Sequence, residues 1–401
     1  MLFLFENVAI DTDRRELCAV GTVVPVEPQV FDLLVYLIRN RDRVVTRDDL
    51  IASIWNGRIV SESTLASRIS AARDAIGDSG KEQRLIRTVP RKGFRFIGTV
   101  REGGEPQTPA ADAPAYALVQ APPLHQEVQF CTTPDKVRIA YATVGKGPPL
   151  VKAANWLNHL EYDWQSPIWS HLLHAIAADF RLVRYDARGN GLSDWEVDDI
   201  SFEAFVRDLE SVVDQAGLDR FALLGISQGC AISIAYAVRH PERVSHLVLY
   251  GGFARGRRKR GSQTAIDQAN ALETLVRSGW GQENPAFRQV FTSQFIPGGS
   301  PEQIQWFNEL QRRTTSPENA ARIRGAVDNI EITDLLSHVK VPTLVMHCRD
   351  DAVQPFEEGR RMAADIKGAQ FVALEGRNHL ILENDPSWSR FVDEMKGFLR
   401  S

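Results

Sequence analysis

Residues 221–237, FALLGISQGCAISIAYA, constrain the fold of this 401-residue chain more than any other segment. An apolar run predicts a buried strand, the turn Gly225-Ile226-Ser227-Gln228-Gly229 follows it, and small apolar residues predict a helix after the turn. Glycine at each end of so sharp a turn leaves room for the neighbouring backbone. The segment therefore predicts that the Ser227 hydroxyl lies at the end of a sheet strand, in the position of a nucleophile.

Two later segments contain the residue types that would activate a serine. A serine hydroxyl is a weak nucleophile until a base accepts its proton and an acid orients that base. The strand-like run VPTLVMHC is followed by Asp350 and Asp351, and the run FVALEG leads to His379. For His379 alone a structural role would be the commoner outcome, so the prediction rests on three matching positions. We predict a triad of Ser227, His379 and one of the two aspartates.

From Val128 to the C-terminus the chain resembles the α/β-hydrolase superfamily. Besides the segments above, the resemblance rests on VRYDARGNGLSD at residues 183–194 and HPERVSHLVLYGG at residues 240–252. It implies a mostly parallel sheet, and it favours Asp351 as the acid because Pro355 lies four residues later. The expected catalytic residues are therefore Ser227, Asp351 and His379.

The same resemblance implies an oxyanion hole built from two backbone N–H groups. One belongs to the residue after the nucleophile, Gln228. The second comes from an early loop, where the usual His-Gly pair is replaced by Ala153-Ala154-Asn155-Trp156. We expect the N–H of Trp156 to be the second donor, and the departure leaves open whether the site turns over a substrate.

The residues at about 253–339 form an insertion long enough for a helical cap. It carries six large aromatic residues, most of which we expect to pack inside the cap while some line an apolar pocket over Ser227: Trp280, Phe287, Phe291, Phe295, Trp306 and Phe307. Such a pocket suits a small hydrophobic ligand with an ester, lactone or similar carbonyl. For the basic run at residues 257–260, RRKR, a solvated or cap-anchoring role is favoured over a second DNA contact.

The N-terminal region has the pattern of strands, three helices and a hairpin. The apolar positions of the first helix share one face: Val30, Leu33, Leu34, Leu37 and Ile38. Thr46 and Asp49 form a capping-box pattern that starts a second helix near Arg47. A third helix, from about residue 61 to 76, is expected to bury Leu65, Ile69, Ala72 and Ile76. Its other side carries Thr64, Ser67 and Ala71, flanked by Arg68 and Arg73.

The hairpin IRTVPRKGFRFIG and the helices before it resemble the winged-helix effector domain of OmpR/PhoB-type regulators over residues 1–101. The resemblance implies that the third helix enters the DNA major groove and that the basic hairpin tip contacts the adjacent backbone or minor groove. The implied DNA-binding residues are Thr64, Ser67, Arg68, Arg73, Arg91 and Lys92. Ala71 stands where the family often has arginine, which reduces base readout. A protein-docking role for the module is the alternative.

The charge distribution agrees with a DNA partner for this part of the chain. The formal net charge is -4, yet residues 58–95 contain nine basic against four acidic side chains. The segment MLFLFENVAI lacks the basic region of a secretory signal, and no apolar run approaches a membrane span, so a cytoplasmic protein with no membrane partner is expected. The four cysteines lack metal-ligand spacing, and neither metal nor cofactor is expected.

The sequence thus predicts two domains: an α+β winged helix-turn-helix at residues 1–101 and an α/β-hydrolase fold at 125–401, joined by a Pro/Ala-rich linker at 102–124. The order resembles CadC/ToxR-like regulators, in which a sensor follows the winged helix. The favoured function is a DNA-binding transcriptional regulator whose hydrolase domain binds, and in one version hydrolyses, its ligand. The alternatives are an esterase or lactonase with an accessory DNA-binding domain, and a scaffold with a lapsed triad. A homodimer is a further candidate assembly.

Overall fold

The computed structural model describes residues 2–19, 22–24, 26, 28–54, 62–78, 83–89, 92–102 and 124–401. The chain divides into two compact units, Met1–Leu118 and Val119–Ser401. Each unit has its own hydrophobic core. Across the described ranges, no helix is both long and apolar enough to cross a lipid bilayer.

In its described residues the first unit has seven strands and three helices. The strands are β1 (Leu2–Phe5), β2 (Val8–Asp11), β3 (Glu16–Ala19), β4 (Thr22–Val24), β5 (Ile86–Val89), β6 (Gly93–Phe96) and β7 (Arg101–Glu102). The helices are α1 (Pro28–Arg39), α2 (Arg47–Ile54) and α3 (Glu62–Ala75). Strands β4-β3-β2-β1-β7 form one sheet, and β5 and β6 form a separate antiparallel hairpin.

The predicted helix faces are confirmed where the structure describes them. All five predicted apolar positions of α1 are buried, as are Leu65, Ile69, Ala72 and Ile76 on the inner side of α3. The capping box of α2 is present: Asp49 N–H donates to Thr46 Oγ1 (3.1 Å), and Thr46 N–H donates to the Asp49 carboxylate (3.0 Å). Helix α2 starts at Arg47 because these two bonds satisfy its free N-terminal donors.

The second unit alternates strands and helices. Its strands are β8 (Glu127–Thr132), β9 (Arg138–Val144), β10 (Pro149–Lys152), β11 (Arg181–Tyr185), β12 (Phe221–Ile226), β13 (Val244–Tyr250), β14 (Thr343–Cys348) and β15 (Gln370–Leu374). Its helices are α4 (Leu160–Trp164), α5 (Ser170–Ala177), α6 (Phe202–Gln215), α7 (Gln228–Arg239), α8 (Gln263–Gly279), α9 (Ala286–Phe295), α10 (Pro301–Thr314), α11 (Pro317–Asp328), α12 (Thr333–Leu336), α13 (Phe356–Asp365) and α14 (Trp388–Leu399).

These strands form one mostly parallel sheet in the order β15-β14-β13-β12-β10-β11-β9-β8. The pairs β11–β9 and β9–β8 are antiparallel, and the other neighbouring pairs of this sheet are parallel. Strand β12 lies near the centre and all six of its residues are buried, as its unbroken apolar run predicts. The ends of β12, β13, β14 and β15 therefore meet at one edge, which is where ligands bind in open α/β sheets.

The chain between β13 and β14 forms a short 3-10 turn at Arg257–Lys259 followed by helices α8 to α12. Serine N-caps and prolines in the first turn start α10 and α11, and α10 has a complete capping box between Ser300 and Gln303. Within the basic run at 257–260, Lys259 is exposed, whereas Arg257 is buried and donates to the Val353 carbonyl (3.2 Å) in the loop after β14.

Candidate functional site

Ser227 occupies the turn between β12 and α7 in a strained conformation. Its φ of 55° is uncommon for a residue with a side chain, and the residue is 5% exposed. A Cβ at Gly225 would approach the Cα of Cys230 to 2.6 Å, and one at Gly229 would approach the Ala154 carbonyl to 3.0 Å. Gly225 therefore lets the turn pass close to its own backbone, and Gly229 lets it pass close to the loop after β10.

His379 and Asp351 form a buried pair at the same edge of the sheet. Nδ1 of His379 lies 2.7 Å from Oδ2 of Asp351, and both side chains are almost fully buried. Within the described residues, Nε2 of His379 is buried and has no hydrogen-bond partner. With its Nδ1 proton held by a carboxylate, the imidazole leaves Nε2 able to accept a proton.

The neighbouring Asp350 takes no part in this pair. It is exposed, and its backbone N–H donates to the Gly376 carbonyl. The Asp351 carboxylate instead accepts hydrogen bonds from the N–H groups of Val353 (2.8 Å) and Gln354 (2.9 Å). Burial opposes its ionisation, but the charge and hydrogen bond of His379 hold the pKa of Asp351 below its usual value. Asp351 is therefore the aspartate placed to orient the histidine.

Ser227 and the His379 pair are brought together through Gly251. Ile226 pairs with Tyr250 across β12 and β13, so Ser227 and Gly251 leave their strands side by side. A Cβ at Gly251 would lie 3.3 Å from Cε1 of His379 and 3.5 Å from Oδ2 of Asp351. A side chain at residue 251 would thus press on the imidazole, which explains the Gly-Gly that follows β13.

The loop after β10 carries the expected second oxyanion donor. Ala153 N–H donates to Leu224 O (2.9 Å), which fixes the loop beside β12. The buried Lys152 ammonium donates to Asn155 Oδ1 (2.5 Å), and Asn155 N–H donates to Asn158 Oδ1 (2.8 Å). Gln228 is the first residue of α7, where N–H groups have no intrahelical acceptor. The loop that contains Trp156 therefore has a fixed conformation although it lacks His-Gly.

Aromatic side chains of the cap contact both His379 and the loop that contains Trp156. Phe295 packs edge-on against His379 with centroids 5.4 Å apart, and its carbonyl accepts from the His379 N–H. Trp280 packs against Trp156 at 5.8 Å. Phe291 and Phe307 are buried, whereas Phe287 and Trp306 are half-buried. Trp280 packs on Phe291 and Phe295 packs on Phe307, so four of the six have a ring contact inside the cap, as expected for most of them, whereas Trp306 packs on Tyr162 of α4.

A cavity of about 610 Å³ lies beside the loop that carries Asp351. Its lining mixes cationic, amide and apolar groups: Arg257, Arg260, Gln268, Ala271, Leu272, Gln294, Asp351, Ala352, Val353 and Pro355. None of the six cap aromatics is among them. Neither Ser227 nor His379 lines this cavity, so it is not the apolar pocket over Ser227 that the sequence predicts, and that pocket stays a prediction. The described residues contain no group of histidine, cysteine and carboxylate side chains arranged to hold a metal ion.

The predicted DNA-binding residues are described only in part. Arg91 and the side chains of Thr64 and Ser67 lie outside the described residues. Lys92 is exposed in the turn between β5 and β6, where its N–H donates to the Val89 carbonyl (3.0 Å). Arg68 lies on α3 and is half-buried.

Arg73 corrects the expected DNA-binding set. Its guanidinium is buried and donates to the Ile86 carbonyl (2.8 and 3.1 Å) and to Thr88 Oγ1 (2.8 Å) of β5. The sequence contained the signal, because residue 73 follows Ile69 by four positions and precedes Ile76 by three, on the buried side of the helix. Arg73 thus holds the hairpin against α3 and does not face a groove.

Two contacts around Asp351 and His379 were not predicted from the sequence. His347 lies 3.6 Å from Oδ2 of Asp351, and burial lowers the pKa of His347. Asn378 Oδ1 accepts from the Gly298 N–H of the cap (2.8 Å), and its amide donates to Asp385 (2.8 Å). Asn378 therefore ties the His379 loop to the cap, and only its position beside the histidine pointed to it.

Comparison with known proteins identifies both units. The family described as "Transcriptional regulatory protein, C terminal" matches residues 21–96, and the family described as "alpha/beta hydrolase fold" matches residues 158–277. The chain is 26% identical over 264 residues to the AB hydrolase superfamily protein YisY of Bacillus subtilis, covering 62% of this chain and 91% of that protein.

It is also 24% identical over 272 residues to the pyrrolizixenacetamide deacetylase of Xenorhabdus hominickii, covering 66% of this chain and 95% of the relative. An esterase structure from Rhodococcus sp. superposes with a TM-score of 0.56 at 25% identity, covering 68% of this chain and 98% of the esterase. The chain therefore joins an OmpR/PhoB-type DNA-binding domain to a domain of the alpha/beta-hydrolase fold.

Proposed function

We propose that the protein is a transcriptional regulator that binds double-stranded DNA through its N-terminal domain and binds and hydrolyses a small ester or lactone in its C-terminal domain. The observation that carries the catalytic part is the buried Asp351–His379 pair, which lies next to Gly251 and the strained Ser227 at one edge of the sheet. Strain at a buried serine is kept where it serves a function.

In the proposed reaction, Ser227 Oγ attacks the carbonyl carbon of the ligand while Nε2 of His379 accepts the hydroxyl proton. Asp351 stabilises the imidazolium that forms. The N–H groups of Gln228 and Trp156 donate to the oxyanion of the tetrahedral intermediate. His379 then returns the proton to the leaving alcohol, and water hydrolyses the acyl-enzyme by the same steps. The names of the relatives, a deacetylase and an esterase, support acyl transfer to water.

For the DNA-binding part we propose a winged helix-turn-helix at residues 1–101, followed by a linker at 102–124 and the hydrolase domain at 125–401. Helix α3 would enter the major groove with Thr64, Ser67 and Arg68, and the hairpin tip at Arg91 and Lys92 would contact phosphates. The support is the family match over residues 21–96 and the exposed position of Lys92. The hydrolase domain would be the sensor, because it follows the DNA-binding module in one chain.

Intact-mass analysis after treatment with a fluorophosphonate tests the catalytic part. The wild-type protein should gain one adduct, and the Ser227→Ala variant should gain none. Ser233→Ala is the matched control, because Ser233 is fully buried in α7, the helix that follows Ser227, and its replacement should leave labelling unchanged. A folded wild-type protein that gains no adduct, or an adduct that survives Ser227→Ala, would contradict the assignment.

A further inference from the structure

Arg257 in the 3-10 turn and Arg260 directly after it line the cavity beside Asp351. Arg257 is 8% exposed, and Arg260 is half-buried. Both contribute to the wall of the 610 Å³ cavity that includes Val353 and Pro355. A guanidinium stays protonated in proteins, and two cations side by side in a buried wall repel each other unless an anion lies between them.

Two of the nearby carboxylates are paired with other arginines. Glu358 pairs with Arg255 (2.6 Å), and Asp328 pairs with Arg324 (2.9 Å). Asp351 is hydrogen-bonded to His379, which is neutral when it acts as a base, so the negative charge of Asp351 offsets part of the charge of the two arginines. Arg257 and Arg260 together still give this wall a net positive charge.

Neutral oxygens are the hydrogen-bond acceptors of the two arginines. Arg257 donates to the Val353 carbonyl, and Arg260 donates to the Arg255 carbonyl and to the Gln354 side chain. Within the described ranges, neither arginine has a carboxylate at ion-pair distance. Burial, together with the charge of Arg324, lowers the pKa of Arg257 to about 9, which still leaves it charged at neutral pH. With Asp351 as the carboxylate in the lining, the two arginines leave the cavity wall with a net positive charge.

We propose that this cavity is a binding site for the carboxylate of a small organic acid, with Arg257 and Arg260 as its ligands. A guanidinium matches a carboxylate through two parallel N–H donors. The apolar wall at Ala271, Leu272 and Pro355 suits a short hydrocarbon body, and a volume of about 610 Å³ lies in the range of small-molecule sites. The site does not depend on turnover at Ser227.

The position of the cavity gives the acid a route to the triad. Val353 accepts from Arg257 through its carbonyl and donates to the Asp351 carboxylate through its N–H. A carboxylate that draws Arg257 toward itself acts on the loop that holds Asp351. The acid could also be the product of ester hydrolysis, which carries this same functional group.

Isothermal titration of the full-length Ser227→Ala protein tests the site without turnover. Hexanoate is the probe, hexanamide is its neutral match, and inorganic phosphate is the competing anion. We expect hexanoate to bind at least about tenfold more tightly than hexanamide or phosphate. Added Arg257→Gln or Arg260→Gln changes should each weaken hexanoate binding by about tenfold or more. Arg258→Gln is the control, because Arg258 pairs with Glu273 and lies outside the cavity lining.

Absence of hexanoate binding, equal binding of hexanamide, or binding that survives both arginine changes would overturn the proposal. Tighter, arginine-dependent binding of phosphate would overturn the assignment to a carboxylate. Circular dichroism checks the fold of each variant, and if the buried Arg257 cannot be replaced, the half-buried Arg260 provides the test alone. The titration stays valid even if the wild-type protein does not react with a fluorophosphonate, because it does not depend on chemistry at Ser227.

Discussion

Asp351→Asn should leave the protein folded and remove nearly all reactivity at Ser227, because of how the two carboxylate oxygens are used. Oδ1 accepts from the N–H groups of Val353 (2.8 Å) and Gln354 (2.9 Å), and Oδ2 lies 2.7 Å from Nδ1 of His379. An asparagine side chain has one oxygen and one NH2 group to place among these three nitrogens. The preferred orientation of the asparagine amide decides which nitrogen of the His379 imidazole carries the proton.

If the NH2 group faced Val353 and Gln354, two backbone donors would lose their acceptor, at a cost of about 1–3 kcal/mol each. Keeping the oxygen there turns the NH2 group toward His379, whose Nδ1 must then be an acceptor. The imidazole proton moves to Nε2, the atom that should accept the proton of Ser227. The corresponding change in a serine protease lowers kcat by about 10⁴ with the geometry intact, and we expect a loss of about 10³–10⁴ here.

The assay is the rate of fluorophosphonate labelling at neutral pH, followed by intact mass. Asp350→Asn is the matched control, because Asp350 is exposed and adjacent in sequence, and it should label at the wild-type rate. Asp350→Asn should unfold at the wild-type temperature, and Asp351→Asn should lose some stability but stay folded at the assay temperature. Labelling of Asp351→Asn within about tenfold of the wild-type rate, or an equal loss in both variants, would refute the reasoning.

Three further predictions test other parts of the account. Gly225→Ala should destabilise the C-terminal unit by about 1–3 kcal/mol, because its Cβ would lie 2.6 Å from Cys230 Cα. Gly325→Ala is the control, because its Cβ would meet nothing within 4 Å, and thermal melts should show no destabilisation for it. Burial opposes ionisation of Asp351, yet His379 holds the pKa of this carboxyl below its usual value in the folded protein. The ionised carboxylate therefore adds stability that is complete above about pH 5 and is lost as the pH falls through the lower pKa of the folded state. Urea unfolding from pH 3 to 6 should show a steeper acid loss in the wild type than in Asp351→Asn, and parallel curves would contradict this. Replacing Arg91 and Lys92 with alanine should weaken DNA binding across sequences and reduce the slope of its salt dependence by about 0.9 for each phosphate that is no longer neutralised, measured by fluorescence anisotropy; an unchanged slope would exclude the hairpin tip.

Patterns within one element or one turn could be predicted from the sequence. The inner faces of α1 and α3 follow from helical periodicity, and the capping box at Thr46 fixes the start of α2. The turn at Ser227 follows from its glycines. The contact between His379 and Asp351 also agrees with the expectation, because the ends of parallel strands β14 and β15 meet at one edge.

Contacts between distant segments were not predictable in the same way. Arg73 was placed on the DNA-facing side because its charge was given more weight than its position, and the β5 carbonyl that binds it lies 13 residues away. From the sequence alone, the run of four cations at 257–260 is expected to be solvated or to anchor the cap. Whether Arg257 is buried in a cavity depends on how the cap folds against the loop at Val353, 96 residues later. The packing of Phe295 on His379 depends on the same fold of the cap.

The most direct test of the central claim is whether occupancy of Ser227 changes DNA binding in the intact chain. A DNA duplex selected from a random pool with the full-length protein is titrated by fluorescence anisotropy, before and after fluorophosphonate labelling. A ligand-responsive regulator should change its affinity for this duplex by about tenfold or more on labelling, while Ser227→Ala treated in the same way should not respond. Tight binding that is identical before and after complete labelling would contradict the account and leave two activities that merely share one chain.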